Sequence, residues 1–196
     1  MISMTCRRPR KAASGERGQA LLEMAPVVLL MVTMTFAAID FGRVIWQQEV
    51  LTGLTREGSN IASRAKPPVN LLNAVNAVVS DGVSLNLPVN GKVIVTSVQN
   101  TGTPSAPSYV ITGQASSGSY NATSKIGTYV PGGRPPGKNK ANLPVETIPG
   151  VVPGLDPASG NVIYITEVFD SYSPITPLGA FMRQTLPTEL YDVAYF

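Results

Sequence analysis

The sequence contains no histidine and only one cysteine, Cys6, among its 196 residues. Without an imidazole, the chain cannot form a Ser-His-Asp triad, a Cys-His nucleophile pair or a histidine-ligated zinc site. A single cysteine also excludes an internal disulfide. Because most familiar hydrolases depend on one of these sites, we predict that the protein is not an enzyme, with no catalytic residue, no metal and no cofactor.

Charged residues are also scarce, at 14% of the chain, and they are unevenly distributed. Residues 1–18 contain five basic residues and one acidic residue, and this segment accounts for the net charge of +3. A basic N-terminal segment before a nearly neutral remainder is typical of membrane targeting and orientation. We therefore predict no nucleic-acid partner for the folded part of the chain.

One long apolar run dominates the N-terminal region. Residues 24–39 carry no charge, and residues 20–22 extend the run, which is interrupted only by Glu23. Twenty helical residues measure about 30 Å, the thickness of the hydrocarbon layer of a bilayer. Since the basic residues precede the run, the positive-inside rule leaves the N-terminus in the cytoplasm and exports the rest. We predict a transmembrane helix over residues 19–40.

Glu23 is unusual at the start of such a run, because a carboxylate at membrane depth is costly unless it finds a partner. It follows Gly18 after four intervening residues. If the chain is cut between Gly18 and Gln19, the new ammonium group of Gln19 is a cation at membrane depth. The Glu23 carboxylate of a neighbouring subunit can neutralise it during assembly. This is the type IV prepilin pattern, and it predicts that residues 1–18 are a basic cytoplasmic leader that is cleaved.

Apolar residues continue at helical spacing beyond the predicted membrane span. They are Val44, Leu51, Leu54, Gly58, Ile61 and Ala65. The pattern predicts an amphipathic continuation of the helix over residues 41–66, before the stop at Pro67 and Pro68. Asp40 and Arg43 share one helical face at the point where the chain leaves the bilayer, so they can pair with each other.

A resemblance to a known family rests on two segments, RGQALLEMAPVVLLMVTMTFAAIDFGR and LTREGSNIASR. They are similar to the N-terminal region of TadE-like proteins, which are minor pilin-like subunits of bacterial tight-adherence (Flp) pilus systems. The resemblance covers residues 17–64 and implies a structural subunit that a dedicated prepilin peptidase cleaves. It implies roles in cleavage (Gly18, Gln19), in assembly (Glu23), and in membrane exit and subunit contact (Asp40, Gly42, Arg43, Arg56, Glu57).

The resemblance also implies a location and partners. The subunit is expected in the bacterial inner membrane, with its N-terminus in the cytoplasm and its C-terminus in the periplasm, and then in the pilus or at the cell surface. The expected partners are the prepilin peptidase, other pilins and minor pilins, the inner-membrane pilus assembly platform and membrane lipid.

Two other interpretations of the N-terminal region stay open. In one, the helix is the signal anchor of a periplasmic binding or scaffold protein that is neither processed nor assembled. In the other, residues 24–36 are the apolar part of a secretory signal peptide with a poor cleavage site at residues 35–37. Glu23 and Pro26, at the start of the run, disfavour the signal peptide.

Residues 67–196 are predicted to form an exported head, which gives the chain an α+β fold with a long N-terminal helix and a small antiparallel sheet. The 18 glycines and 17 prolines predict a loop-rich head, above all over residues 100–160. The predicted elements are a helix over 70–80 capped by Asn70, a hairpin joining 83–89 to 92–99 through Asn90-Gly91, short strands at 109–112 and 127–130, a central strand at 162–172, a short helix at 178–184 and a terminal strand or tail at 190–196.

Glu167 and Asp170 are the acidic residues of the predicted central strand. Three positions apart in a strand, they point to opposite faces and cannot form a close acid-base pair. We predict that both lie on the surface of the head, where they contribute to solubility.

Overall fold

A computed structural model of the chain describes residues 14–64, 70–101, 108–132, 139–141, 162–181 and 186–196. Its elements are α1 (Ser14–Arg64), α2 (Leu71–Asp81), a 3₁₀ turn (Gly82–Leu85), α3 (Leu87–Asn90), β1 (Gly91–Asn100), β2 (Tyr109–Ser117), β3 (Val162–Ser171), α4 (Pro177–Phe181) and β4 (Glu189–Tyr195). The predicted α+β fold is confirmed: a long apolar helix precedes a small head with an antiparallel sheet. Most of the predicted leader, residues 1–13, lies outside the described residues.

Helix α1 continues through 51 residues, and Pro26 lies inside it. One helix therefore includes both the predicted transmembrane span and its predicted amphipathic continuation. Residues 65 and 66, at the predicted end of the helix, lie outside the described part of the chain.

The sheet has four strands in the order β2-β1-β3-β4, and all neighbouring strands are antiparallel. β1 and β3 are the inner strands, as the apolar sequence of β3 predicted. An irregularity in the β1–β2 pairing falls between Ser97 and Val98. Alternate residues of the strands point to opposite faces, and each face has its own cover.

The first face of the sheet packs against α2 and the second half of α1. Its buried core includes Leu51, Val75, Val93, Val95 and Val168. Gly58 allows the close approach of α1, because a Cβ at this position would lie 2.6 Å from Val78 and 2.9 Å from Thr166. This face fixes the sheet to the long helix.

The second face is covered by the segment from residue 118 to 132 and by residues 139–141. Buried side chains of this cover are Ala122, Ile126 and Ala141. They pack against sheet residues that include Ile94, Val98, Ile111, Ile165 and Phe169. Both faces of β3 are therefore closed, which explains its almost continuous burial.

The predicted hairpin is wrong. Residues 83–89 lie in the 3₁₀ turn and α3, with Asn86 in a left-handed conformation (φ 53°) between them. Pro88 lies in the first turn of α3, where its missing N–H costs nothing, whereas in a strand it would remove a donor. Leu85 and Leu87 are buried in the core. The alternation of apolar residues over 83–89 therefore arises from two leucines that attach this segment to the core, and not from a strand. β1 pairs with β2 and β3 instead.

The predicted strand at 127–130 is also wrong, because side chains satisfy the backbone of this segment. The amide group of Gln114 donates to the carbonyl of Gly127 and accepts from the N–H of Tyr129. The side chain of Asn139 accepts from the N–H of Val130 and donates to its carbonyl. No partner strand is required for these groups.

Other predicted elements are confirmed. Asn70 caps α2, since its side-chain oxygen accepts from the N–H of Leu72 at 3.1 Å. β2 begins at Tyr109, as predicted, and extends to Ser117. β4 occupies most of the predicted terminal segment. The predicted helix at 178–184 corresponds to α4, and residues 182–184 lie outside the described residues.

Candidate membrane anchor and assembly surface

The first half of α1, residues 18–39, has an apolar and exposed surface. Within the described residues, α1 is the one helix long and apolar enough to cross a membrane, and its most apolar window has no buried residue. The exposed apolar side chains include Leu21, Leu22, Met24, Val27, Val28, Leu29, Leu30, Met31, Val32, Met34 and Ile39. Such a surface is unfavourable in water and suited to lipid, so this helix is a candidate membrane anchor.

The polar side chains within the span are satisfied by the helix itself. The hydroxyl groups of Thr33 and Thr35 donate to the carbonyls of Leu29 and Met31, both at 2.8 Å. Backbone acceptors four residues earlier are the usual partners of threonine in a membrane helix. These two hydroxyls therefore add little cost to insertion.

The predicted cleavage and assembly residues lie together near the start of the described helix. Gly18 and Gln19 are exposed, and no heavy atom lies within 4 Å of a Cβ placed on Gly18. The Gln19 side-chain amide donates to the carboxylate of Glu23 at 3.1 Å, one helical turn away. Glu23 is exposed, so its carboxylate is accessible from outside the chain.

Asp40, which follows the span directly, is only 1% exposed. Its carboxylate accepts hydrogen bonds from the N–H groups of Ile175 (3.2 Å) and Thr176 (3.3 Å) and from the Thr176 hydroxyl (2.5 Å). Its backbone carbonyl accepts from the hydroxyl of Tyr172 at 3.0 Å. Asp40 therefore joins α1 to the loop after β3 within one chain, a role that its sequence position did not reveal. A role for Asp40 in subunit contact stays a prediction.

The other predicted contact residues lie along the second half of α1. Gly42, Arg56 and Glu57 are exposed. Arg43 is half-buried, and its Nη1 atom has no hydrogen-bond partner in the described part of the chain. The structure does not unite these residues into one site, and their contacts with other subunits stay predictions.

The prediction of Glu167 as a surface residue is wrong, because its side chain is fully buried. The carboxylate accepts from the Ser124 hydroxyl, from the Lys125 N–H at 2.8 Å and from the Tyr191 hydroxyl at 3.1 Å. Burial and the nearby carboxylate raise the pKa of Tyr191. Glu167 thus holds the covering segment on the second face of the sheet. The sequence did contain a signal for this burial: in a strand, Glu167 lies on the same face as the apolar residues Ile165 and Phe169.

Asp170 is also buried, so its prediction as a surface residue is wrong too. Neither carboxylate oxygen has a hydrogen-bond partner among the described residues. Burial raises the pKa of this carboxyl group from 3.8 to about 6, and the neighbouring Ser171 amide opposes the rise without reaching hydrogen-bond geometry. Glu167 and Asp170 do point to opposite faces, as predicted, but both faces are covered.

A cleft of about 710 Å³ lies between the second half of α1 and β4. It is lined by Val44, Ile45, Gln48, Glu49, Thr52, Pro187, Glu189, Leu190 and Tyr191. Among the residues that the structure describes, no group of three metal-ligating side chains could hold a metal ion. The lining of the cleft is mostly apolar and includes two carboxylates, those of Glu49 and Glu189.

Comparison with known families matches residues 18–60 to the family model described as TadE-like protein. No curated protein and no solved structure matches the chain. The match confirms the resemblance of the N-terminal region and includes the exposed half of α1 together with much of the packed half. It shows that this region is similar to TadE-like, pilin-type proteins, and residues 61–196, which include the head, lie outside the match.

Proposed function

We propose that the chain is a minor pilin or pseudopilin-like subunit that acts in the assembly, initiation or tip of a tight-adherence (Flp) pilus. The observation that supports this most strongly is the division of α1. One half presents an exposed and mostly apolar surface, and the other half is packed against the head. A subunit with such a helix can reside in a membrane before assembly and then contact other subunits through the exposed half of α1.

In this proposal, residues 1–18 are a cytoplasmic leader that a prepilin peptidase removes, and residues 19–40 hold the mature chain in the bacterial inner membrane. Residues 41–66 extend the helix under an exported head, residues 67–196. The exposure of Gly18 and Gln19 supports access by a peptidase. The basic charge of the leader supports a cytoplasmic N-terminus and a periplasmic head.

Glu23 is the proposed assembly residue. In the uncut chain its carboxylate has only the Gln19 side-chain amide as a hydrogen-bond partner among described residues. Cleavage creates an ammonium group on Gln19, and pairing it with the Glu23 of another subunit offsets the desolvation of both charges. The proposed partners are the peptidase, other pilins and minor pilins, the assembly platform and membrane lipid.

The alternative is a signal-anchored periplasmic binding or scaffold protein. The cleft between α1 and β4 favours it, since an apolar cleft beside a membrane anchor can bind a ligand without any assembly. The two proposals differ in whether the chain leaves the membrane with the pilus.

Replacement of Glu23 separates them. We expect Glu23→Gln to insert and be processed normally but to be absent from sheared pili, or to abolish pili when the chain acts in initiation. The matched control is Glu49→Gln, which changes an exposed acid on the packed half of α1. Normal recovery of pili that contain the Glu23→Gln chain would contradict the assembly role. Absence of the unmodified chain from pili, in cells that assemble pili equally well without it, would favour the alternative.

A further inference from the structure

One segment of the head that adjoins the apolar half of α1 contains no charged residue. Residues 171–181, from the end of β3 through α4, contain no acidic or basic residue. This segment meets α1 at Asp40, the first residue after the apolar span. A charge-free head segment thus lies directly beside the end of the candidate membrane span.

The loop in this segment presents one apolar side chain on a fixed backbone. Ile175 is 63% exposed, although its N–H is bound to the buried carboxylate of Asp40. Pro174 and Pro177 flank it, and both restrict the backbone. Gly179 packs closely behind the loop, since a Cβ there would lie 2.2 Å from Pro174 and 2.5 Å from the Asp40 carboxylate. These contacts fix the backbone of the loop, so Ile175 is held in an exposed position by the fold.

Three more exposed apolar side chains, Phe41, Ile45 and Trp46, lie at a similar level along α1. At 1.5 Å per residue, they lie about 2 to 9 Å beyond Asp40 along the helix axis. The headgroup layer on each side of a bilayer is about 5 to 8 Å thick. A span that ends near residue 39 therefore places Phe41 and Ile175 within that layer, and Ile45 and Trp46 at its outer edge.

We infer that the head rests directly on the bilayer, with Phe41, Ile45, Trp46 and Ile175 forming a membrane collar that extends from the headgroup layer of the exported leaflet to its outer edge. The lipid surface is the assigned occupant because the collar is continuous with the apolar half of α1 and the adjoining head segment is uncharged. Asp40 is the positioning residue, since it binds the backbone of Ile175 and holds it at the level of the membrane. The inference rests on the membrane anchorage in the proposed function.

Spin labels at three positions of the full chain test the collar. In a Cys6→Ser background, nitroxides are placed on Ile175→Cys, on Phe196→Cys and on Leu30→Cys, and the chain is reconstituted in phosphatidylcholine vesicles at low density. Phe196 is the matched control because it is 50% exposed and follows β4 at the other end of the sheet. The ten residues of β3 separate the two ends by about 30 Å. Leu30 reports on insertion of the span.

We expect the label at 175 to lose its collisions with an aqueous nickel chelate and to gain collisions with oxygen, as the label at 30 does. The label at 196 should keep its nickel collisions. Equal nickel access at 175 and 196, with the label at 30 protected, would overturn the collar and leave the anchorage intact. Nickel access at 30 would overturn both. Protection at 175 that appears only at high chain density would identify a second copy as the occupant and would also overturn the inference.

Trp46 provides a second measurement without any substitution, because it is the single tryptophan of the chain. Its fluorescence should be quenched by lipids brominated near the headgroup and protected from aqueous iodide. Strong iodide quenching in the same vesicles, with no effect of brominated lipid, would contradict the collar independently of the labels.

Discussion

The two halves of α1 share one backbone conformation but have opposite surroundings. From residue 18 to 35 every side chain is exposed, whereas after Asp40 burial recurs at Leu51, Leu54, Gly58 and Ala62. Helical hydrogen bonds satisfy the backbone in both halves, so the backbone does not distinguish lipid from protein as a partner. The difference lies in the side chains: the first half is mostly apolar on all sides, and the second half has an apolar stripe.

Polar side chains show the same contrast. In the first half, Thr33 and Thr35 donate back to their own helix. In the second half, the Thr55 hydroxyl donates to the carboxylate of Asp192 at 2.6 Å, and the Ser59 hydroxyl donates to the carbonyl of Ala194 at 3.0 Å. The hydroxyl groups in the exposed half therefore bond within α1, which leaves this half free to contact lipid or other subunits. The hydroxyl groups of Thr55 and Ser59 in the packed half bond to the sheet and fix the head to α1.

The largest expected effect comes from matched leucine truncations in the two halves. Leu51→Ala removes a fully buried side chain from the core between α1 and the sheet and should destabilise the head by about 2–5 kcal/mol. Leu30→Ala should leave head stability unchanged, because this side chain is exposed. Hydrogen exchange of the β1 and β3 amides in the detergent-solubilised full chain measures both. Equal losses would mean that the exposed half also supports the head.

A serine pair sharpens the comparison within the packed half. The Ser59 hydroxyl also accepts from the N–H of Thr166 at 3.1 Å, so it connects two sheet groups. Ser59→Ala leaves both groups without this partner and should cost about 1–3 kcal/mol. Ser63→Ala is the control, since its exposed hydroxyl donates to the carbonyl of Asn60 on the same helix and has no other partner among the described residues. Similar stability of the two variants would show that helix α1 is not tied to the sheet through Ser59.

Two buried carboxylates allow a smaller and pH-dependent test. The raised pKa of Asp170 means that folding favours its protonated form; the resulting stabilisation is fully present below about pH 4 and is lost as the pH rises through about 6. Asp170→Asn should therefore stabilise the head by about 1–2 kcal/mol near pH 8 and have little effect near pH 4. Asp40→Asn should instead destabilise the head, because the Asp40 carboxylate accepts three hydrogen bonds.

Thermal unfolding of the two variants and the unmodified chain at both pH values measures these differences. A destabilised Asp170→Asn chain near pH 8 would indicate that Asp170 has a stabilising partner. An unchanged Asp40→Asn chain would remove the basis for treating Asp40 as the residue that positions the loop.

The sequence predicts elements whose signal is local. The apolar run gives α1, the Asn70 cap gives the start of α2, and the Val/Ile-rich run gives β3. It does not predict what covers a surface: Glu167 on the second face of β3 is buried by contacts with Ser124 and Lys125, which lie 43 and 42 residues earlier in the chain. The bonds between Asp40 and residues 172–176 are equally remote, so the sequence indicates a membrane exit but not its attachment to the head.

The central claim is that the exposed half of α1 is the assembly helix of a processed subunit, and the N-terminal residue of the mature chain tests it most directly. The measurement is N-terminal sequencing and intact mass of the membrane-extracted protein, from cells with and without their prepilin peptidase. We predict a chain that begins at Gln19 in the first case and retains residues 1–18 in the second. A chain that retains residues 1–18 in both cells would contradict the claim and leave an anchored periplasmic domain.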